Sequence, residues 1–273
     1  MLHPAYAALI AGAGCGLALW VNGHRWGFLP DDPPSLPRKQ HDRPIPLAGV
    51  VLLPCVLWWF ASLEHAATLL ALAIATATGF ADDRGKEHGE GLDWRVKGAL
   101  LAVAALIGAS QSCAPLQAPG DWLLLAALAF VLCNATNFLD NMDGVATSLS
   151  AVTLLSIGGG GPFAAVGFAA LGLLPWNWPR PRLFLGDAGA YLLGMAAGLA
   201  VGARALVAPI ELLAAGVQLA DFVQVISARL WLRLPPWVGD RRHLSHIAHH
   251  RGVPRWLVAP LLAALAALLA NRG

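Results

Sequence analysis

Ten apolar runs divide the chain, near residues 2–21, 47–63, 66–80, 97–112, 122–138, 145–157, 163–176, 189–203, 207–228 and 255–271. They are continuous Ala- and Leu-rich stretches without alternation at period two, which predicts helices and not a barrel of strands. Several approach the length of about 17 to 20 residues that crosses a bilayer, where every backbone polar group must find its partner inside the helix. Two kinds of connection join the runs. Residues 22–46, 81–96, 139–144, 177–188 and 229–254 hold nearly all the polar chemistry. The alternate joints are brief: Glu64 and His65, Cys113 to Asp121, Gly158 to Pro162, and a turn near Arg204. The glycines at 158–161 read as a flexible turn, and Pro30 to Pro46 as an extended loop. No internal repeat or heptad seam interrupts the pattern, so one transmembrane domain over residues 1–273 is expected.

Charge orients these segments. Of 18 Lys and Arg, 16 lie in the five polar connections or at the adjoining helix ends, the exceptions being Arg204 and Arg272. Such a bias marks the cytoplasmic face. The expectation is an all-α, polytopic membrane protein of about ten transmembrane helices, with both termini outside and an active site at the cytoplasmic face. Composition agrees, since only 12% of residues are charged against about 25% in soluble domains. The net charge of +2, placed on one side, favours membrane lipids of an anionic leaflet and gives no reason to expect nucleic acid. Cys15, Cys55, Cys113 and Cys133 sit in apolar surroundings without ligand spacing and read as ordinary buried thiols. The run from Leu2 to Val21 lacks the basic start of a signal peptide and is expected to remain as the first span.

Four constellations on that face could carry chemistry. Asp82 and Asp83 follow the third run directly; adjacent carboxylates suit a hard divalent cation such as Mg²⁺, and like charge can raise one pKa to make a base. A solvated helix end, with Arg84 and Lys86 next, is the plainer reading. Asn134, Asn137 and Asp140 recur at intervals of three, a spacing that puts neighbours on one helical face, and Asp143 with Gly144 follows. Each Asp costs about 2.5 to 3.5 kcal/mol at the centre of a span, which argues against decoration, although a loop between spans would also hold them. Asp187, flanked by Gly186 and Gly189, opens the eighth run, where free N–H groups can meet phosphate; alone it reads as a helix cap. In Asp240-Arg241-Arg242-His243-Leu244-Ser245-His246, histidines three apart could face a pyrophosphate beside the arginines. The alternatives there are a transition-metal site or a merely basic loop, and zinc is disfavoured by the ligand pattern.

These groups, in this order, resemble the polyprenyl-phosphate N-acetylhexosamine-1-phosphate transferases, glycosyltransferase family 4, in the branch acting on GlcNAc-1-phosphate. The loop from His41 through Arg43, Pro44 and Pro46 to Gly49 looks like the family's first cytoplasmic motif, and Lys97, Asp221 and Arg229 match as well. The resemblance implies transfer of a sugar 1-phosphate from a UDP-N-acetylhexosamine to undecaprenyl phosphate with release of UMP, a first membrane step of cell-envelope glycan synthesis in the bacterial inner membrane. It implies Asp82 and Asp83 as the catalytic pair, Asp187 with Asp83 as ligands of Mg²⁺ or Mn²⁺, and His243 and His246 facing the diphosphate. Arg43, Lys97, Asn134, Asn137, Asp140, Asp143, Arg241 and Arg242 would bind substrate. A homodimer is compatible with this picture.

The departures are Val50, where the family often has a second glycine, and Ser245, where a histidine is common. A histidine restored at 245 is expected to be tolerated. Within the family, the phospho-MurNAc-pentapeptide transferases are the runner-up. From another class, an ion or proton-coupled transporter could use Asp221 and Glu211 in one span, although the carboxylates gather at one interface and no inverted repeat is visible.

Overall fold

The computed structural model describes residues 2–23, 28–32, 44–61, 63–237 and 239–271. Helices form in every one of the ten apolar runs: α1 (Tyr6–Gly23), α2 (Leu52–Phe60), α3 (Ala66–Glu87), α4 (Trp94–Ala109), α5 (Pro119–Leu139), α6 (Val145–Ile157), α7 (Pro162–Asn177), α8 (Gly186–Ala205), α9 (Gly216–Trp231) and α11 (Arg255–Ala270). The short α10 (Leu244–His250) lies in the last polar connection. By length and composition α3, α5, α8 and the segment Pro209–Trp231 can each cross a membrane, and five further apolar helices are shorter. The protein is a membrane-embedded helical bundle.

Of the boundaries that differ from the hydropathy reading, three have a clear local reason. Helix α3 does not stop at residue 80 but runs to Glu87, because a bilayer edge ends the apolar run without ending the helix. An Asp82–Lys86 pair at i,i+4 supports the extra turns. Helix α4 starts early, at Trp94, where the Asp93 carboxylate accepts the Arg95 N–H at 2.8 Å. The ninth run opens as a 3₁₀ helix, Pro209–Ala215, before the α-helix begins. In the Pro-rich connection, two-residue strands β1 (Asp31–Asp32) and β2 (Ile45–Pro46) pair antiparallel. The four cysteines are buried and free, as expected.

Helix α8 is the axis of the bundle, buried along most of its length between α3 and α5. Small residues make this approach possible. A side chain at Gly194 would stand 2.7 Å from the Cα of Cys133, so the α8 and α5 backbones touch there. At the other end of α8, a Cβ on Gly79 of α3 would fall inside the backbone of Asp187 and Ala188. Helices α6 and α7 pack together, with α1 on α7 and α11 on α6, while α4 covers α3 and α5. The segment after β2 runs beside the loop entering α8: Ala48 N–H donates to Phe184 O at 2.9 Å, and Gly49 N–H to Leu185 O at 3.0 Å. These contacts carry the end of α3, the end of α5 and the start of α8 to one place.

Candidate active site

Asp83 is 2% exposed, and its two oxygens accept the backbone N–H groups of Asp187 and Ala188 at 3.0 and 3.1 Å. A carboxylate on the first turn of a helix satisfies two of its free donors and opposes its dipole. Gly186 makes room for it: at φ +66° it adopts the left-handed conformation, and a Cβ there would lie 2.8 Å from Asp83 Oδ2. Asp82 is fully buried and differently held. Its Oδ1 accepts Leu92 N–H at 2.7 Å, and its Oδ2 meets the ammonium groups of Lys86 at 2.7 Å and Lys97 at 3.1 Å. Lys86 also reaches Asp187 Oδ2 at 3.0 Å, so one ammonium bridges two carboxylates drawn from α3 and α8. The other Asp187 oxygen accepts Asn137 Nδ2 at 3.0 Å.

Beyond α5 the chain turns through Asp140, the residue that caps it. Burial, and then the charges of Asp187, Asp83, Asp143 and Asp32, push the Asp140 carboxyl well above the usual range. Asn177, at the end of α7, shapes this turn by accepting Gly144 N–H at 3.1 Å and Thr147 hydroxyl at 2.9 Å. Asn137, Asp140 and Asp143 all line one cavity of about 1210 Å³ with Asp83, Asp187 and Lys97. Asn134 does not join them. Its amide donates to Phe130 O at 2.8 Å along its own helix. The reason is angular: two steps of three residues turn a side chain by about 120° from its starting face.

The last polar connection adds basic groups to the same cavity. Asp221, fully buried on α9, accepts Leu244 N–H at 2.6 Å and pairs with His243 Nδ1 at 2.8 Å, so the imidazole is oriented from behind. His243 and His246 both line the cavity, with Arg241 and Arg255. Arg242 turns the other way, where its guanidinium donates to Asp240 at 2.8 Å. Against the cost of burial, that group, the Arg242 N–H and Arg229 hold the Asp240 carboxyl down at about 2. Arg229 crosses the Phe138 ring at 4.7 Å. Ser245 is fully buried, and its hydroxyl donates to Asn141 Oδ1 at 2.6 Å. A histidine there must break that bond and displace its neighbours, which counts against the expected tolerance. Ser245→His is expected to lower the thermal unfolding midpoint in detergent by several degrees, and an unchanged midpoint would show that the loop can expand.

Burial first, then the neighbouring charges of His243, Arg241, His250 and Arg255, lower the His246 pKa to about 4 from 6.5. A folded-state pKa below the unfolded value means the proton binds more weakly in the fold. Stability is therefore intact above about pH 6.5 and declines as pH falls toward 4. His246→Gln is expected to flatten this acid limb, compared by unfolding at pH 5 and pH 7; equal slopes in both proteins would count against the buried, neutral imidazole.

The structure thus gathers Asp83, Lys97, Asn137, Asp140, Asp143, Asp187, Arg241, His243 and His246 around one cavity, with Asp82 buried just behind it. Asn134 and Arg242 point elsewhere, and Arg43 and His41 lie outside the described residues. Sequence reasoning missed Lys86, taken for a solvated helix end, although an Asp82–Lys86 spacing of four was a readable signal. Asp31, Asp32, Asn177 and Phe184, which also line the cavity, left no signal in pattern or spacing. Asp221 is tied to His243 and Leu244, which weakens its use as a free proton carrier.

For a metal, the donor chemistry fits. Asp187 Oδ2 already holds a cation, the Lys86 ammonium, Asp83 lines the cavity beside it, and hard divalent ions take such carboxylates. Among the described residues no three carboxylate, imidazole or thiol side chains stand close enough to enclose an ion as they are. Loading therefore requires Lys86 to yield its place.

The family model described as glycosyl transferase family 4 matches residues 65–203, a region from α3 to α8 that includes Asp82, Asp83, Asp140, Asp143 and Asp187. The chain is 29% identical over 229 residues to the decaprenyl-phosphate N-acetylglucosaminephosphotransferase of Mycolicibacterium smegmatis, covering 66% of this chain and 55% of that protein. It is 28% identical to the undecaprenyl-phosphate alpha-N-acetylglucosaminyl 1-phosphate transferase of Thermotoga maritima, over 80% of this chain and 72% of the relative. To the phospho-N-acetylmuramoyl-pentapeptide-transferase of a Synechococcus strain it is 30% identical, over 82% and 73%. The chain spans little more than half the length of its mycobacterial relatives.

Proposed function

Because the chain belongs to glycosyl transferase family 4, we propose that it transfers an N-acetylhexosamine 1-phosphate, GlcNAc-1-phosphate before others, from a UDP-sugar to undecaprenyl phosphate and releases UMP. The observation that carries this reading is one cavity lined together by the carboxylates Asp83, Asp140, Asp143 and Asp187, by Lys86 and Lys97, and by His243, His246 and Arg241. Phosphoryl transfer asks for charge neutralisation and in-line positioning more than for covalent work. Lys97, Arg241 and Arg255 supply cationic donors, and about 1210 Å³ is ample for a nucleotide sugar beside a lipid phosphate.

Mg²⁺, or Mn²⁺ in its place, would be held by Asp187 and Asp83 and would neutralise the diphosphate. Lys86, displaced from Asp187, keeps Asp82 as its counter-ion and can turn toward a phosphate oxygen. For Asp82 to serve as nucleophile or as base for the lipid phosphate, roles that both need a free carboxylate, it must in turn part from Lys86 and Lys97 and reach the cavity from just behind its wall. His243, held by Asp221, and Arg241 donate to phosphate oxygens, while Asn137, Asp140 and Asp143 face the nucleotide. The 30% identity to a muramoyl-pentapeptide transferase over most of the chain supports a second reading, with UDP-MurNAc-pentapeptide as donor.

A panel of UDP-sugars with purified protein, undecaprenyl phosphate and metal tests this directly. UMP and an organic-soluble sugar diphospholipid are expected only when donor, acceptor and divalent ion are all present. Absence of lipid product from any UDP-N-acetylhexosamine, together with metal-dependent ion flux in proteoliposomes, would favour the transporter instead. The topology is proposed as ten spans in a bacterial cytoplasmic membrane with the cavity inside. Reporter tags after Arg38, Arg95 and Asp240 are expected to read cytoplasm, and tags at both termini the outside; Arg95 and Asp240 on opposite faces would divide the site.

A further inference from the structure

The loop between α7 and α8 has two sides. Pro181 and Phe184 line the large cavity, while Trp176, Trp178, Pro179, Arg180 and Arg182 line a separate open groove of about 380 Å³. The loop is pinned in this shape: Arg182 and Leu183 N–H both donate to Trp176 O, at 2.7 and 3.1 Å, and Trp178 Nε1 donates to Trp256 O at 2.9 Å. Arg180 and Arg182 are exposed. Among the described residues neither guanidinium has a hydrogen bond or ion pair, in contrast to Arg229 and Arg242.

The groove opens at the end of an apolar surface. Trp176 packs on α1 at Gly16, and the outward faces of α1 and α7 expose Leu17 and Leu171. Tryptophans at the end of membrane helices sit at headgroup level, and arginine forks bind phosphate oxygens while staying charged at any physiological pH. We propose that this groove binds the phosphate of an anionic phospholipid, with its acyl chains along α1 and α7. Two fixed positive charges disfavour a choline headgroup, whose ammonium would lie beside them. The site is separate from the transfer cavity and stands whether or not the transferase reading does.

The test uses the full chain in mild detergent, exchanged against mixed micelles of phosphatidylcholine with phosphatidylglycerol, with retained lipid counted by native mass spectrometry. The wild type is expected to retain phosphatidylglycerol in preference. Arg180→Gln/Arg182→Gln should lower that retention about tenfold or more, at the scale of two interfacial charges. Arg180→Lys/Arg182→Lys keeps the charge and should recover most of it. Equal retention of the two lipids by the wild type, or an unchanged preference in the glutamine variant, would overturn the proposal. So would loss in both variants alike, or one-for-one displacement of the phospholipid by undecaprenyl phosphate, which would make the groove the acceptor's.

Discussion

Asp187→Asn is expected to reduce UMP release by about 10² to 10³-fold, the scale of losing one preorganised electrostatic group, with the protein folded and inserted. The substitution is isosteric, and the carbonyl of the new amide can still accept from Asn137 Nδ2. The backbone N–H that Asp187 gives to Asp83 is untouched. What disappears is the negative charge facing Lys86, and with it the proposed hold on a divalent ion. Metal titration of the variant should show a raised requirement or none that can be met. Near-normal turnover at the wild-type metal concentration would remove Asp187 from that role.

Asp82→Asn is expected to be as damaging to turnover and, unlike the change at 187, damaging to the fold. The wild-type carboxylate is fully buried between two ammonium groups and one backbone N–H. Removing one partner of a fully buried ion pair costs about 3 to 5 kcal/mol; here the Lys86 and Lys97 side chains are 48% and 21% exposed, so water relieves part of that cost, but two lysines still lose a counter-ion together. The roles separate in a double variant. Asp82→Asn/Lys97→Gln removes one of the stranded charges and should regain part of the lost thermal stability, while transfer stays absent. Recovery of transfer along with stability would mean that Asp82 only balances charge.

The helices and the site were legible to different degrees. Continuous apolar runs mark helices well because a membrane span must satisfy its own backbone, and each run holds one. Their ends were less legible: hydropathy records where lipid stops, and α3 continues past that point to carry Asp82, Asp83 and Lys86 on its own turns. The chemistry was readable wherever polar residues break an apolar context, as at Asn137, Asp140 and Asp187. Which of two neighbours faces the cavity was not readable. Arg241 and Arg242 are chemically alike, yet the first lines the cavity while the second pairs with Asp240. Asn134 misled because spacing by three drifts round a helix. Ser245 misled because a family pattern carries no information on the volume around one residue. Asn177 and Phe184 belong to loops, whose approach to the cavity depends on pairing with distant backbone, as Phe184 N–H with Pro46 O at 2.9 Å.

The grip of α8 on Asp83 also bears on the order in which the chain is made. Asp82 finds Lys86 and Lys97 within 15 residues of itself, so a nascent α3–α4 hairpin can already balance it. Asp83 has Lys86 near it, but its two hydrogen-bond donors come 104 and 105 residues later. Until α8 leaves the ribosome and packs against Gly79, α3 carries a carboxylate with neither of its native donors, and the hairpin is expected to insert less firmly than the finished bundle. Biogenesis therefore converges on one late event, the docking of α8. Chains halted before it should be retained by the insertion machinery or degraded, however apolar their earlier helices are.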